Sequence, residues 1–105
     1  MAQRRFPRYR VDVPMVVRKM GAGMTGDARG QSVNLSEGGV AVMVSGGFLP
    51  GQVVLMELVL PQSHQPVRVN ARFCHRCDSV SGFEFLAAEP HVLESIRQAC
   101  TGSAA

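Results

Sequence analysis

A run of alternating side chains between Val67 and Arg76 constrains the fold of this chain more than any other feature. Apolar residues occupy every second position from Val67 to Phe73, and the positions between them are mostly polar or charged. A period of two residues is the period of a β-strand that has one buried face. The chain is therefore expected to fold around at least one half-buried strand.

Five further segments predict strands, which makes about six in all. One alternating stretch begins near Arg10, and its Pro14 argues for an edge position or a bulge. The others are short runs bounded by Gly, Pro or polar turns, at 31–35, 40–44, 53–60 and 82–86. Evenly spaced short strands with short polar turns favour an antiparallel barrel or sandwich over a parallel sheet.

The last segment changes its period. Pro90 suits the first turn of a helix, and apolar residues recur at helical spacing until Gly102. We predict a helix over about 90–100 that covers an opening or a face of the β-structure, followed by a frayed tail at 102–105. At 105 residues, the chain is expected to be one domain.

Positive charge is concentrated at the start of the chain. Ten of the eleven basic residues are arginine, and four of them lie in the first ten positions, which contain no acid. Arginine is the side chain for two-pronged recognition of phosphate or of a base edge. Residues 1–9 are therefore predicted to form a flexible, arginine-rich arm before a domain at 10–101. The alternative is a solvated tail or a general contact to nucleic acid.

A polar turn, Asn34-Leu35-Ser36-Glu37-Gly38-Gly39, follows the arm at a distance of roughly two dozen residues. Asn34 and Ser36 are two positions apart, so at a strand end their side chains would point the same way. The glycines allow close approach of a flat ligand. The alternative is that these residues are only good turn formers. Together the two segments predict one anion site.

The two segments resemble the motifs of PilZ domains that bind the bacterial second messenger cyclic di-GMP. Arg4-Arg5-Phe6-Pro7-Arg8 is similar to the RxxxR motif of that family, and the segment 34–39 is similar to its [D/N]xSxxG motif. The resemblance covers nearly the whole chain, including the turn at 49–51, the segment 82–85 and the final helix. It implies an all-β fold with one C-terminal helix, a six-stranded antiparallel split β-barrel.

The resemblance also implies a role for each motif. The arginines are expected to hold guanine and phosphate, Asn34 and Ser36 to hydrogen-bond a guanine edge, and Gly39 to leave room for the base. Many members have Asp in place of Asn34, and an amide lacks the carboxylate's charge-assisted hydrogen bond, so weaker binding is expected. The expected ligand contacts are Arg4, Arg5, Arg8, Asn34, Ser36 and Gly39.

The implied function is that of a cyclic di-GMP receptor, which relays the signal to an unidentified effector protein by ordering its arm. Two alternatives stay open. One is a PilZ-like adaptor that binds only protein, and the other is a small barrel for single-stranded nucleic acid. The second alternative needs aromatic stacking platforms along a basic groove, whereas the chain has no Trp, one Tyr and five Phe.

Catalysis and metal binding find little support in the sequence. No nucleophile with a nearby base and no suggestive carboxylate pair can be picked out, so no enzyme activity and no cofactor are predicted. Cys74-His75-Arg76-Cys77 is half of a zinc motif, but residues three apart in an extended strand face opposite sides, so no metal is predicted. Arg72 and Arg76 are interpreted as a solvated face.

The compartment is predicted from two further observations. No apolar run reaches the length of a membrane helix, and the three cysteines form an odd set without the spacing of a disulfide framework. A cytoplasmic protein is expected, with neither membrane insertion nor a DNA partner.

Overall fold

The computed structural model describes residues 6–20, 26–63 and 65–104, and these residues form six strands and one helix. The elements are β1 (Pro14–Lys19), β2 (Asp27–Leu35), β3 (Gly39–Val44), β4 (Val53–Leu58), β5 (Val67–Cys77), β6 (Val80–Leu86) and α1 (Pro90–Ala104). Neighbouring strands are antiparallel in the order β1-β2-β3-β6-β5-β4, and β4 pairs with β1 to close a barrel. The predicted six-stranded antiparallel barrel with one C-terminal helix is thus confirmed.

The barrel is filled by the inward positions of the alternating strands. In β4, for example, Val54, Met56 and Leu58 are fully buried. Phe48 lies against Phe73 and Phe83 with ring centroids 5.6 and 5.2 Å away. Stacked and edge-on ring pairs of this kind add about 0.5–1.5 kcal/mol beyond their area burial. Helix α1 extends this core with its apolar stripe, Val92, Ile96, Ala99 and Cys100.

Several boundaries differ from the sequence-based prediction; β4 ends at Leu58 rather than Leu60, and β6 begins at Val80 rather than Gly82. β2 begins at Asp27 rather than Gln31, because its first residues pair with β1 through their backbones and need no apolar pattern. β1 begins at Pro14 instead of near Arg10, and a first strand position tolerates the missing N–H of proline. Helix α1 continues to Ala104, into the predicted tail. Among the described residues, no helix combines the length and apolar character needed to span a bilayer.

Two β-bulges interrupt the alternation. The register of β2 on β3 shifts between Ser32 and Asn34, and the register of β5 on β6 shifts between Phe73 and His75. Each bulge inserts one extra residue, so the inward and outward positions exchange along the rest of the strand. Ser32 and Phe73 accordingly face the core, whereas Asn34 and His75 lie on the outer surface.

Candidate functional site

A groove of about 530 Å³ on the outer surface brings the arm and the polar turn together. The turn after β2 forms one wall, and the bulged half of β5 with β6 forms the other. Its polar and aromatic lining residues are Phe6, Arg8, Asn34, Ser36, Cys74, His75, Cys77, Phe83, Glu84 and Phe85, and Gly38, Gly39 and Gly82 also line it.

The arm reaches this groove because it is bonded along β2. Tyr9 exchanges two backbone hydrogen bonds with Leu35, of 2.9 and 2.8 Å. The buried Ser32 hydroxyl accepts a hydrogen bond from the Val13 amide at 2.8 Å and donates one to the Val11 carbonyl. These bonds hold residues 9–13 against β2 and bring the end of the arm to the turn.

The two polar side chains of the turn are used differently. The Ser36 hydroxyl accepts hydrogen bonds from the amides of Gly38 and Gly39, at 3.1 and 3.2 Å, and Ser36 is 7% exposed. Serine here builds the turn by bonding its own backbone, as hydroxyl side chains commonly do. The half-buried Asn34 lines the groove, and its amide has no hydrogen-bond partner among the described residues. Of these two side chains, Asn34 is therefore the one whose polar atoms are available to a ligand.

Close contacts explain the glycines on both walls. A Cβ at position 39 would overlap the carbonyl oxygen of Phe83, so Gly39 is required by the approach of β3 to β6. A Cβ at position 38 would lie 2.9 Å from the ring of Phe6, which packs on the turn. A Cβ at position 82 would lie 2.7 Å from the imidazole of His75. Gly82 thus lets this ring lie close to the β6 backbone.

The charged side chains around the groove differ in whether they have a bonding partner. Arg8 is exposed and has no carboxylate within 4.0 Å among the described residues. Glu84 is the acidic group in the wall, and Arg72 of the neighbouring strand pairs with it. Arg76 donates to the backbone carbonyls of Asp78 and Gly46 at 2.9 and 2.6 Å. Arg72 and Arg76, predicted as a solvated face, are exposed but bonded to protein groups.

An ion pair joins the turn to the helix. Arg97 of α1 contacts Glu37 at 2.8 Å and Glu94 at 2.6 Å. The hydrogen bond and charge of Glu37, followed by the charge of Glu94, raise the pKa of Arg97 above its ordinary value. The guanidinium therefore stays charged at any pH at which the protein is folded.

Four of the six predicted contacts, Arg8, Asn34, Ser36 and Gly39, line this groove. Arg4 and Arg5 lie outside the described residues. Phe6 and His75 were missed by the sequence reasoning. The two cysteines of the Cys74–Cys77 segment line the same groove, because the bulge breaks the alternation that would have placed them on opposite faces. Within the described ranges, no group of three or more His, Cys, Asp or Glu residues could hold a metal ion.

Fold and groove together define a small closed antiparallel barrel with a candidate anion-binding site on its outer surface. The sequence matches the PilZ domain family over residues 2–102, and the chain belongs to that family. A search of curated protein sequences finds no significant match.

Solved structures with similar folds include PilZ domains and longer chains. The PilZ domain of CeSA from a cellulose-synthesizing bacterium superposes with a TM-score of 0.72 at 20% identity, over 91% of this chain and 96% of that one. The PilZ domain of YcgR from Escherichia coli with c-di-GMP gives 0.77 at 14% identity, over 98% and 92%. The Bacillus subtilis inhibitor of motility MotI/DgrA gives 0.78 at 17% identity, over 97% of this chain and 51% of that chain.

Proposed function

We propose that this chain is a receptor for cyclic di-GMP and that the groove between the turn and the bulged half of β5 is its binding site. The observation that carries the proposal is the meeting of Arg8 with Asn34 and the Ser36 turn in one groove, although the two motifs are far apart in sequence. The YcgR domain, whose structure was solved with c-di-GMP, has the same fold and supports the choice of ligand.

The chemistry of the groove suits this ligand. Cyclic di-GMP carries two phosphate charges and two guanines, and a guanidinium can pair with phosphate, bond O6 and N7 of guanine, or stack on its face. Arg8 can make any of these contacts, with Arg4 and Arg5 as further donors. The Asn34 amide offers both a donor and an acceptor to a guanine edge. At about 1.5–3 kcal/mol for each charge-assisted hydrogen bond, a few contacts suffice for micromolar binding.

The protein would act by a change of surface rather than by catalysis. Ligand binding orders the arm over the barrel, and an effector protein recognises the ordered arm. Within the described part of the arm, Tyr9 is already bonded to Leu35 and Phe6 lies on Gly38. Amide hydrogen exchange tests this relay. Equal protection of the arm with and without nucleotide would exclude it.

Calorimetric titration of cyclic di-GMP tests the receptor function. The wild type is expected to bind, and Arg4→Ala/Arg8→Ala is expected to lose most of the affinity. Arg29→Ala is the matched control, because Arg29 is an exposed arginine of β2 that does not line the groove. Equal binding by wild type and double variant would place the site elsewhere. Absence of binding in all three proteins would favour the adaptor function.

A further inference from the structure

We propose that Cys74 and Cys77 form a thiol-modification site in the wall of the groove, and that their reaction with an anionic low-molecular-weight disulfide closes the groove to its ligand. The modification itself follows from the position of the thiols, whereas the effect on binding rests on the proposed receptor function.

The bulge in β5 creates this site. Cys74 is the inserted residue, His75 pairs with Gly82, and Cys77 pairs with Val80 at the start of β6. Both cysteines are exposed and both line the groove, one on each side of His75. The Cys74 thiol makes a weak hydrogen bond to the Arg72 carbonyl at 3.5 Å. An exposed pair of thiols beside a polar groove is an uncommon arrangement, since free cysteine is usually buried.

The third cysteine provides an internal contrast. Cys100 is 2% exposed and its thiol contacts the Leu35 carbonyl at 3.5 Å. Burial, followed by the nearby charge of Glu37, raises the pKa of Cys100 to about 11. The thiolate is the reactive form, so Cys100 is expected to be inert in the folded protein at neutral pH.

The two groove thiols are expected to react with an external disulfide rather than with each other. Three positions of extended strand span roughly 10 Å, and a disulfide needs Cα atoms within about 7 Å. In the reaction, a cysteine thiolate attacks one sulfur of the external disulfide, a mixed disulfide forms, and the other half leaves as its thiolate. No net oxidant beyond that disulfide is consumed.

The charge of the groove favours an anionic reagent of the glutathione type. Arg8 is without a carboxylate partner among the described residues, so the groove that would attract a dinucleotide also attracts other anions. Once attached, a glutathionyl group fills groove volume and adds negative charge opposite a dianionic ligand. Like charges placed together in an interface weaken binding.

The experiment treats the protein with oxidised glutathione, maps the adducts by peptide mass, and titrates cyclic di-GMP before treatment, after treatment and after reduction with dithiothreitol. We expect adducts on Cys74 and Cys77 but not on Cys100, and a loss of affinity of about tenfold or more that reduction reverses. Cys74→Ser/Cys77→Ser is expected to bind the nucleotide equally well before and after treatment. Cys100→Ser is the control that keeps the wild-type sensitivity.

Two failures are distinguishable. If the untreated, reduced protein does not bind the nucleotide, the receptor function is wrong, and closure of the groove falls with it. If the reduced protein binds and the adducts on Cys74 and Cys77 leave affinity unchanged, the thiol site is wrong while the receptor function stands. Sensitivity that persists in Cys74→Ser/Cys77→Ser would also overturn the thiol site.

Discussion

Asn34 and Ser36 have the same spacing that a ligand-binding pair would have, yet only one of them has polar atoms to spare. The Ser36 hydroxyl is bonded to the backbone of its own turn. Its substitution would disturb the turn as well as any ligand contact. Asn34 is different, because its amide has no partner among the described residues. Affinity can therefore be tuned at Asn34 without changing the turn.

Asn34→Asp is expected to tighten binding of cyclic di-GMP. A carboxylate makes charge-assisted hydrogen bonds to the guanine N–H donors, and the gain over an amide is about 1 kcal/mol, or roughly fivefold in Kd. Isothermal titration at neutral pH measures the change. Asn70→Asp is the matched control, since Asn70 is exposed on β5 and does not line the groove. Weaker binding by Asn34→Asp would show that the ligand's own charge dominates at this position.

Gly39→Ala is expected to destabilise the barrel whether or not a ligand is present. The new methyl group would overlap the Phe83 carbonyl oxygen, so β3 and β6 would have to separate locally. Overpacking of this kind costs about 1–3 kcal/mol. Urea denaturation measures the loss. Gly47→Ala is the control, because no atom lies within 4 Å of a Cβ at that position. An unchanged free energy of unfolding in Gly39→Ala would leave ligand access as the reason for this glycine.

At the scale of elements, β2 organises the site, because it carries the turn at its end and holds the arm along its side. Ser32 joins the start of the chain to β2. Its hydroxyl accepts a hydrogen bond from the Val13 amide and donates one to the Val11 carbonyl, where a regular sheet would use backbone groups. Directly after Ser32, the bulge in β2 exchanges the inward and outward positions, so that Ser32 faces the core while Asn34 faces the groove.

Ser32→Ala is expected to cost about 2–3 kcal/mol of unfolding free energy, because it leaves a buried amide and a buried carbonyl without partners. Hydrogen exchange of the Val13 amide should become faster. Ser81→Ala is the matched control. Ser81 is also fully buried, but its hydroxyl has no hydrogen-bond partner in the described structure, so its removal should be neutral or stabilising. Equal losses in both variants would contradict the proposed role of Ser32.

The pair of Arg72 on β5 and Glu84 on β6 is expected to act on binding through charge alone. Arg72→Ala would leave the Glu84 carboxylate uncompensated in the groove wall and weaken binding by about two- to fivefold, as expected for a partly exposed pair. Arg72→Ala/Glu84→Gln should restore the affinity. Arg68→Ala, which breaks a similar pair with Glu57 at 3.0 Å, should have no effect on affinity. A double variant that stays weak would mean that Arg72 contacts the ligand directly.

The elements also show where sequence patterns succeed and fail. Alternation predicts the strand at 67–76 because one face of most of it is buried, and a short Val-rich run between turns predicts the strand at 40–44. Helical spacing of the apolar residues predicts α1. The start of β2 was missed, since Asp27 and Arg29 are exposed and held by backbone pairing. The groove side of β5 was also missed, because a bulge depends on the pairing partner and leaves no mark in the local sequence.

At the scale of the whole molecule, three separate segments meet at the end of β2. The arm bonds to Leu35 through Tyr9, and α1 contacts Leu35 through Cys100 and Glu37 through Arg97. The turn is therefore fixed from both sides, by a segment before the barrel and by one after it. Stability of the whole domain and geometry of the groove are expected to change together.

The raised pKa of Cys100 predicts how stability of the whole domain depends on pH. Its thiol has a folded pKa of about 11 against an ordinary value of 9.0. Above the unfolded pKa the unfolded chain loses this proton first, so the contribution is complete below about pH 9 and is lost as pH rises through about 11. The contribution is at most about 3 kcal/mol.

Urea denaturation of the wild type and of Cys100→Ala at about pH 8 and about pH 10.5 measures this contribution. Other groups titrate in the same range in both proteins, so the difference between the two pH dependences isolates Cys100. The wild type should lose more stability than the variant at high pH. Parallel losses would show that the thiol does not contribute.

The two bulges have a consequence for how members of this family are recognised. A chain with the same 34–39 letters but no register shift between β2 and β3 would alternate strictly from Ser32, so Val33 would face outward and Asn34 would face the core. Such a chain would pass a search for the motif and lack the site. The inserted residues of β2 and β5 are thus a feature, beyond the motif letters, that distinguishes a chain with this groove from a chain that has only the motif.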